Sequence, residues 1–419
     1  MVSLQELRWR GLLQDISDEA GVEKLASGDG CYVGFDPTAK SLHIGNLVSI
    51  IVAIHLGRAG LKPILLFGGA TGSIGDPSGR RAERQLLERV VVDANVAAIS
   101  KQVGAILQRI GLTADFVDNY AWTRDVTLLD FLRDIGKHFT VNYMLAKDSV
   151  KARLEGDGIS FTEFSYMLLQ SYDFLHLYTT KNCKLQFGGS DQWGNITAGL
   201  ELIRRKVQGE AYALSAPLIL DSQGRKFGKS EGGAVWLDPE LTSPFKFHQF
   251  WLNVPDADAV RYLKIFTFLS KEEIDGLEVR TKESPGERAA QRALADAVTT
   301  LIHGAEATED AKRSAQVLFG GSLEGLSERQ LEEIFADVPS STVTSAEFAA
   351  LTIIDVLVNS KALPSKGEAR RLITSGGVYL NNERVTDPSM LVSTGVKSGA
   401  RLFVLRTGKK NYHLVKIAV

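Results

Sequence analysis

Short apolar runs alternate with long helical ones through the first 220 residues, and few folds accommodate that order. Cys31–Phe35 is a short apolar run that ends at Pro37 and a polar turn. Apolar residues then recur at helical spacing from Ile44 to Arg58, and Gly60 stops the run. Pro63–Gly68 reads as a second buried strand and opens a glycine-rich loop, Gly68–Gly79. Val91–Ile110 reads as helix, Ala114–Asn119 and Lys184–Phe187 as strands, the stretch up to about Lys206 as helix, and Pro217–Leu220 as the next strand. Such alternation predicts an α/β domain with a parallel, doubly wound sheet over residues 1–230. Ligands of such a sheet gather at the carboxyl ends of its strands. Residues 120–180 are mainly helical and are expected as an insertion.

From Glu231 to about Leu318 the pattern stays helical, so 231–320 is expected as an α-helical domain. Gly320, Gly321, Pro339, Ser340 and Ser341 mark 321–347 as the expected linker. The tail, 348–419, reads as a small α+β domain. It has a basic amphipathic helix at Ser365–Ser375 and short strands at Val378–Leu380, Arg384–Val385, Leu402–Leu405 and Leu414–Ile417. Net charge is −2 overall, but the tail carries eleven Lys/Arg against four acids, about +7. A basic tail on an acidic body points to a polyanionic partner such as nucleic acid, the bland alternative being a basic surface that only aids solubility. The two cysteines, Cys31 and Cys183, exclude a disulfide framework and a cysteine-cluster zinc site, and they fit a reducing compartment. Leu47–Leu56, the most apolar stretch, is ten residues long and contains His55, whereas a membrane span needs about 20. Met1–Asp15 carries Glu6, Arg8 and Arg10 and no long apolar core, so no secretory signal is expected there. The expectation is a soluble, cytoplasmic protein with no membrane partner.

Two motifs carry chemistry. The first, from Tyr32 to Asn46, runs strand, turn, helix start, and contains Gly34, Asp36, Thr38, His43 and Gly45. A helix start offers free backbone N–H groups and a positive dipole end, which suit phosphates. His43 and Asn46 are i, i+3 and can face one ligand, while Gly45 lets a flat ring approach the backbone. A lone histidine at a helix cap is usually structural. The second motif is Lys226-Phe227-Gly228-Lys229-Ser230, whose two lysines can clamp a polyphosphate. Alone it reads equally well as a solvated loop.

Together the two motifs, about 180 residues apart, resemble the paired histidine–glycine and Lys-x-x-Lys-Ser signatures of class I aminoacyl-tRNA synthetases. The fuller wording narrows this. Tyr-x-Gly-Phe-Asp-Pro-Thr at 32–38, Gly68-Gly69-Ala70-Thr71-Gly72 with Gly75-Asp76-Pro77-Ser78, Phe131–Phe139, Gly188–Thr197 and the lysine loop occur in order. They resemble the bacterial-type tyrosyl-tRNA synthetases, with their Rossmann-type catalytic domain. That resemblance implies ATP-dependent activation of L-tyrosine and its transfer to tRNA(Tyr), ATP accompanied by Mg²⁺, and a homodimer with Phe131–Leu145 at its interface. No His/Cys/acid cluster has metal-ligand spacing, so no protein-bound metal is expected.

Tyr166, Gln170 and Asp173 fall at i, i+4, i+7 in the helix expected over Phe161–Tyr178 and share one face. A structural face would be apolar, yet this one offers a phenol, an amide and an acid. The resemblance assigns Tyr32 and Asp173 to the substrate phenol, and Asp76, Tyr166 and Gln170 to its ammonium, with Gly34 and Asp36 alongside. A phenylalanine would leave Tyr32 and Asp173 buried and unpaired, an asymmetry for which tyrosyl enzymes are the usual illustration. The resemblance gives Asp191 to the ribose, Gln192 to the reacting carboxylate, and Thr38, His43, Gly45, Gly188, Lys226 and Lys229 to ATP. His43, Asn46, Lys226, Lys229 and Ser230 would stabilise charge during the reaction.

The tail resembles an S4-type RNA-binding module, with Lys366, Arg370, Arg371, Lys409 and Lys410 as its phosphate-tracking cations. Two positions depart from the family: Asn46 stands where tyrosyl enzymes usually have histidine, and Val33 replaces a common cysteine, which should matter little. Two rival readings remain. A tryptophanyl-type enzyme shares the fold, but Tyr32 with Asp173 suits a phenol oxygen better than an indole. A non-catalytic RNA-binding derivative is disfavoured by the intact His43, Lys226 and Lys229.

Overall fold

Both faces of the larger sheet are covered by helices, which is why its strands read as continuous apolar runs rather than alternating ones. In the computed structural model, which describes residues 4–78, 86–155, 158–224, 227–230, 233–318, 320–397, 399–408 and 411–418, the chain forms two compact units. The first is Met1–Ser243 with Trp251–Gly304, the second Pro244–Phe250 with Ala305–Val419.

The first unit holds a six-stranded sheet of β1 (Asp15–Ile16), β2 (Gly30–Phe35), β3 (Lys62–Phe67), β4 (Asp115–Asp118), β5 (Cys183–Gly189) and β6 (Tyr212–Ala216), in the order β1-β6-β5-β2-β3-β4. All neighbours run parallel except β1 on β6. The chain steps outward from β2 to β3 and β4, then returns to β5 on the other side of β2. The switch point therefore lies between β2 and β5, where an open α/β sheet binds its ligands. Four helices frame it: α1 (Ile44–Arg58), α2 (Arg89–Arg109), α3 (Phe161–Lys181) and α4 (Trp193–Val207). Ser160 caps the start of α3 by accepting from the Glu163 N–H, and Asn182, left-handed at φ 51°, closes its end.

The expected α/β architecture is present, with three local corrections. The strand after α4 is Tyr212–Ala216, not Pro217–Leu220. Pro217 has no N–H to give the ladder, so the run that pairs with β5 ends just before it. The helical stretch 231–320 is divided between the two units. Asp256–Phe266, Lys271–Glu283 and Ala289–His303 pack in the first, where Asp256–Phe266 lies on α1 and Arg109 Nη1 donates to the Ile302 carbonyl at 2.6 Å. The stretch 321–347, read as a linker, contains helix Glu328–Ile334 and strand Ser340–Thr344.

That strand is the parallel edge of the second unit's five-stranded sheet. The order is Glu383–Arg384, Val378–Leu380, Leu402–Thr407, Asn411–Ala418, Ser340–Thr344. Ile334 and Phe335 are buried with Val317, Leu402, Val404, Tyr412 and Leu414, so the supposed linker contributes to a core. Lys366–Thr374 is the basic helix expected in the tail. By length and composition alone α2 could cross a bilayer, but its face of Val92, Ile99, Val103, Ile106 and Leu107 is buried in the first unit.

Candidate active site

At the switch point a cavity of about 250 Å³ opens at the carboxyl ends of β2 and β5. Of the residues singled out in the sequence, Tyr32, Gly34, Asp36, Gly45, Asn46, Asp76, Tyr166, Gln170, Asp173, Gly188, Asp191 and Gln192 line it. Thr38 and His43 are not among the lining residues. Lys226, Lys409 and Lys410 lie outside the described residues, and Lys229 and Ser230 are described by their backbone alone, as a short strand.

Asp173 forms the floor. It is 2% exposed, and each carboxylate oxygen accepts one hydrogen bond, Oδ2 from Asn119 Nδ2 and Oδ1 from Trp122 Nε1, both at 2.9 Å. Burial pushes its pKa up to about 7, and those two donors pull against the burial. Tyr32, from the middle of β2, is equally buried, and burial raises its phenol well above the ordinary value. Tyr32 Oη, Gln170 Oε1 and Gln186 Oε1 make no well-formed hydrogen bond among the described residues, although all three side chains line the cavity and Gln186 lies near enough to Tyr32 to pull against the rise of its phenol. Orphaned buried polar atoms around a cavity are costly unless something fills it, and these fit a ligand carrying a hydroxyl at one end and donors along its flank.

A second group of polar side chains lies beside the first. Tyr166 Oη donates to both Asp36 oxygens at 3.2 and 3.3 Å, and Thr71 Oγ1 donates to Asp36 Oδ1 at 3.4 Å. Asn119 Nδ2 donates to Thr71 Oγ1 at 3.1 Å as well as to Asp173, so one network joins the two ends of the pocket. Opposite it, Asp76 accepts from Gln192 Nε2 at 2.5 Å and from the Ser78 N–H at 2.9 Å. Acids on one side and an acid–phenol pair on the other can hold a ligand that carries a cation and a hydroxyl.

The histidine motif is built as a cap. His43 Nδ1 accepts from the Gly45 N–H at 3.0 Å, and Asn46 Oδ1 accepts from the His43 N–H at 3.1 Å. A Cβ on Gly45 would come 2.7 Å from the His43 ring, so only glycine allows the imidazole to fold there. Asn46 thus spends its oxygen on the helix start, while its side chain still borders the cavity. The lysine loop meets the same helix start. Gly228, at φ +96°, faces Ile44, and a Cβ there would be 3.0 Å from Ile44 Cγ1 and 3.4 Å from the Gly45 N. The loop is pinned on both sides: Phe227 packs on Trp251, Tyr262 and Phe266, and the Val235 carbonyl accepts from the Ile44 N–H. The two motifs, far apart in sequence, are therefore adjacent.

Sequence reasoning missed Asn119, Trp122, Thr71 and Gln186. Asn119 was findable, since it follows β4 and the carboxyl ends of strands point to the site. Trp122 and Gln186 gave no such signal.

This geometry belongs to a known class. Residues 29–320 match the family described as tRNA synthetases class I (W and Y). Residues 330–415 match the tyrosine--tRNA ligase SYY-like C-terminal domain. The chain is 50% identical over 420 residues to the tyrosine--tRNA ligase of Geobacillus kaustophilus, covering 99% of each. It is also 50% identical over 418 residues to tyrosine--tRNA ligase 1 of Bacillus subtilis, covering 98% of each. A solved structure, a C-terminally truncated mitochondrial tyrosyl-tRNA synthetase from Aspergillus nidulans, superposes with a TM-score of 0.68 at 32% identity, covering 75% of this chain and 93% of that one. The chain belongs to the tyrosine--tRNA ligase family.

Proposed function

We propose that this chain joins L-tyrosine to ATP as tyrosyl-adenylate and transfers the tyrosyl group to the 3′ end of tRNA(Tyr). The observation that carries the reading is Asp173, fixed by two N–H donors beside the orphaned hydroxyl of Tyr32. In step one the tyrosine carboxylate attacks the α-phosphorus of ATP and pyrophosphate leaves. In step two a ribose hydroxyl of the tRNA terminus attacks the adenylate carbonyl, and AMP leaves. Tyr32 and Asp173 bond the substrate phenol. Asp76, Tyr166 and Gln170 hold the ammonium, with Asp36 orienting Tyr166. Gln192 sits by the reacting carboxylate, and Asp191 and Gly188 by the ribose. His43, Asn46, Lys226, Lys229 and Ser230 stabilise the charge that develops on the phosphates, a task of positioning and electrostatics with no covalent enzyme intermediate. Mg²⁺ would arrive on the ATP phosphates. Amino-acid-dependent ATP–pyrophosphate exchange across the twenty amino acids tests the reading: exchange is expected with tyrosine, and exchange with none would refute it.

Lys366, Arg370 and Arg371, together with Lys409 and Lys410, are the proposed tRNA contacts of the tail. The first three are exposed on or near one helix. A homodimer is also proposed, through the region of Phe131–Leu145. In its favour, Leu128, Leu129 and Val141 are 69%, 78% and 61% exposed in and beside that region, more apolar surface than water favours. The proposed compartment is the cytoplasm, for which the two buried free thiols speak.

Two predictions arise from the site. Asp173 accepts the phenol hydrogen most strongly when ionised, and burial pushes its pKa up to about 7. Between pH 6 and 8 its ionised fraction rises about tenfold, so kcat/KM for tyrosine should rise about tenfold over that range. A flat profile would contradict the assignment. Asn46 has its oxygen committed to the cap, which leaves its amide N–H groups for the phosphates. A neutral hydrogen bond made mainly in the transition state is worth roughly 1.5–3 kcal/mol. Asn46→Ala should therefore slow single-turnover adenylate formation about 10–100-fold with little change in tyrosine affinity, and Asn46→His should stay within about tenfold of wild type. A full rate in the Ala variant would mean that Asn46 only caps the helix.

A further inference from the structure

We infer that His176 is a positioning residue for tyrosine recognition, acting through Trp122 on Asp173; the inference rests on the tyrosine pocket proposed above. Trp122 lies in Tyr120–Thr123, a four-residue helix whose N-cap, Asn119, makes no side-chain capping bond. So short an element has little stability of its own, so the indole's orientation depends on what packs against it. Yet Trp122 Nε1 must stay 2.9 Å from Asp173 Oδ1.

His176 adds a constraint on the ring face beyond the packing of the half-buried Trp122 against the core around Tyr32 and Phe174. Its ring lies 4.4 Å from that of Trp122, centroid to centroid, with 12° between the planes, a stacked pair. Asp173 and His176 are three residues apart on α3 and project from neighbouring positions of one helix. A single rigid element thus provides both the acceptor for the indole N–H and the plate against its face. Tyr172 meets His176 at 6.4 Å and 61°, and Phe131 meets Tyr172 edge-on at 6.2 Å and 88°, which extends the aromatic contacts around His176. His176 does not line the cavity, so any effect on the substrate must pass through the indole. Without the plate, Trp122 keeps its core packing but loses the support of its ring face. The donor to Asp173 Oδ1 is then held less firmly, and with it the orientation that points the carboxylate at the phenol.

Steady-state ATP–pyrophosphate exchange, varying tyrosine and ATP separately, tests this on the full-length wild type, His176→Ala and His176→Phe. The Ala variant should raise KM for tyrosine about three- to tenfold, as expected for loss of one aromatic stack. Its kcat and its KM for ATP should stay within about twofold of wild type, and the Phe variant, which restores a ring, within about twofold of wild type throughout. An unchanged tyrosine KM in His176→Ala, a parallel rise in both KM values, or a Phe variant no better than Ala would overturn the inference. Should the Ala variant fail to fold, His176→Leu fills the volume without a ring face, and the same outcomes apply to it. A wild type that exchanges no pyrophosphate with tyrosine would instead overturn the pocket reading itself.

Discussion

Asp173→Ala is expected to lower kcat/KM for tyrosine by at least about 30–150-fold, the equivalent of one hydrogen bond to a charged acceptor, roughly 2–3 kcal/mol. The loss should sit on tyrosine and not on ATP, because Asp173 is buried beside Tyr32, whose phenol feels its charge. Stability should behave differently from activity. In the free protein the Asp173 pKa is raised from 3.8 to about 7, chiefly by burial. A carboxyl whose folded pKa is raised binds its proton more tightly in the folded state. Its contribution is therefore most favourable at low pH and is lost as pH rises from about 4 to about 7. The Ala variant should lack that slope. It orphans the Asn119 and Trp122 donors, which costs stability, but it also removes a buried acid, which offsets part of the cost at pH 8. A folded variant with failed activation is the expected result, checked by chemical denaturation at pH 5 and 8 beside pyrophosphate exchange. Near wild-type kcat/KM would show that the phenol does not meet Asp173.

The parts of this site that could be read from sequence are those set by local periodicity. Tyr166, Gln170 and Asp173 share a face because a helix repeats every 3.6 residues, and the Ser160 cap and the apolar residues around them announce that helix. The cap at His43 was legible for the same reason. Asn119 is legible only through its place at the carboxyl end of β4; Trp122 and Gln186 are not, because the pairing of β2 with β3 and β5 and of β3 with β4, which no spacing encodes, brings these segments together. The misread linker has another cause. Leu331, Ile334, Phe335 and Val338 stand at helical spacing, but the flanking glycines, proline and serines carry a stronger turn signal. A strand such as Ser340–Thr344, with every residue exposed or half-exposed, shows no apolar face to read.

The misread linker decides where the chain can be cut. A truncation before Phe348 would strand Ser340–Thr344 without its partner, Asn411–Ala418, and open the core around Phe335. Ending the chain at Gly304 keeps the whole first unit, with the cavity and its lining, and leaves only Pro244–Phe250 of the second. The shortened chain should keep tyrosine-dependent pyrophosphate exchange within a few-fold of the full-length chain. Charging of tRNA(Tyr) should fall by at least about 100-fold, since residues 348–419 carry a net charge of about +7 and phosphate contacts dominate nucleic-acid affinity. Counterion release gives a second signature. If the tail supplies several phosphate contacts, full-length affinity for tRNA should drop steeply between about 50 and 200 mM salt, and the truncated chain should show a much shallower slope. Replacing Lys366, Arg370 and Arg371 together in the full-length chain should reproduce part of the charging defect without touching exchange, because all three lie on the helix of the second unit. Equal loss of exchange and charging in a folded truncation, or an unchanged salt slope, would show that tRNA is not held by this tail.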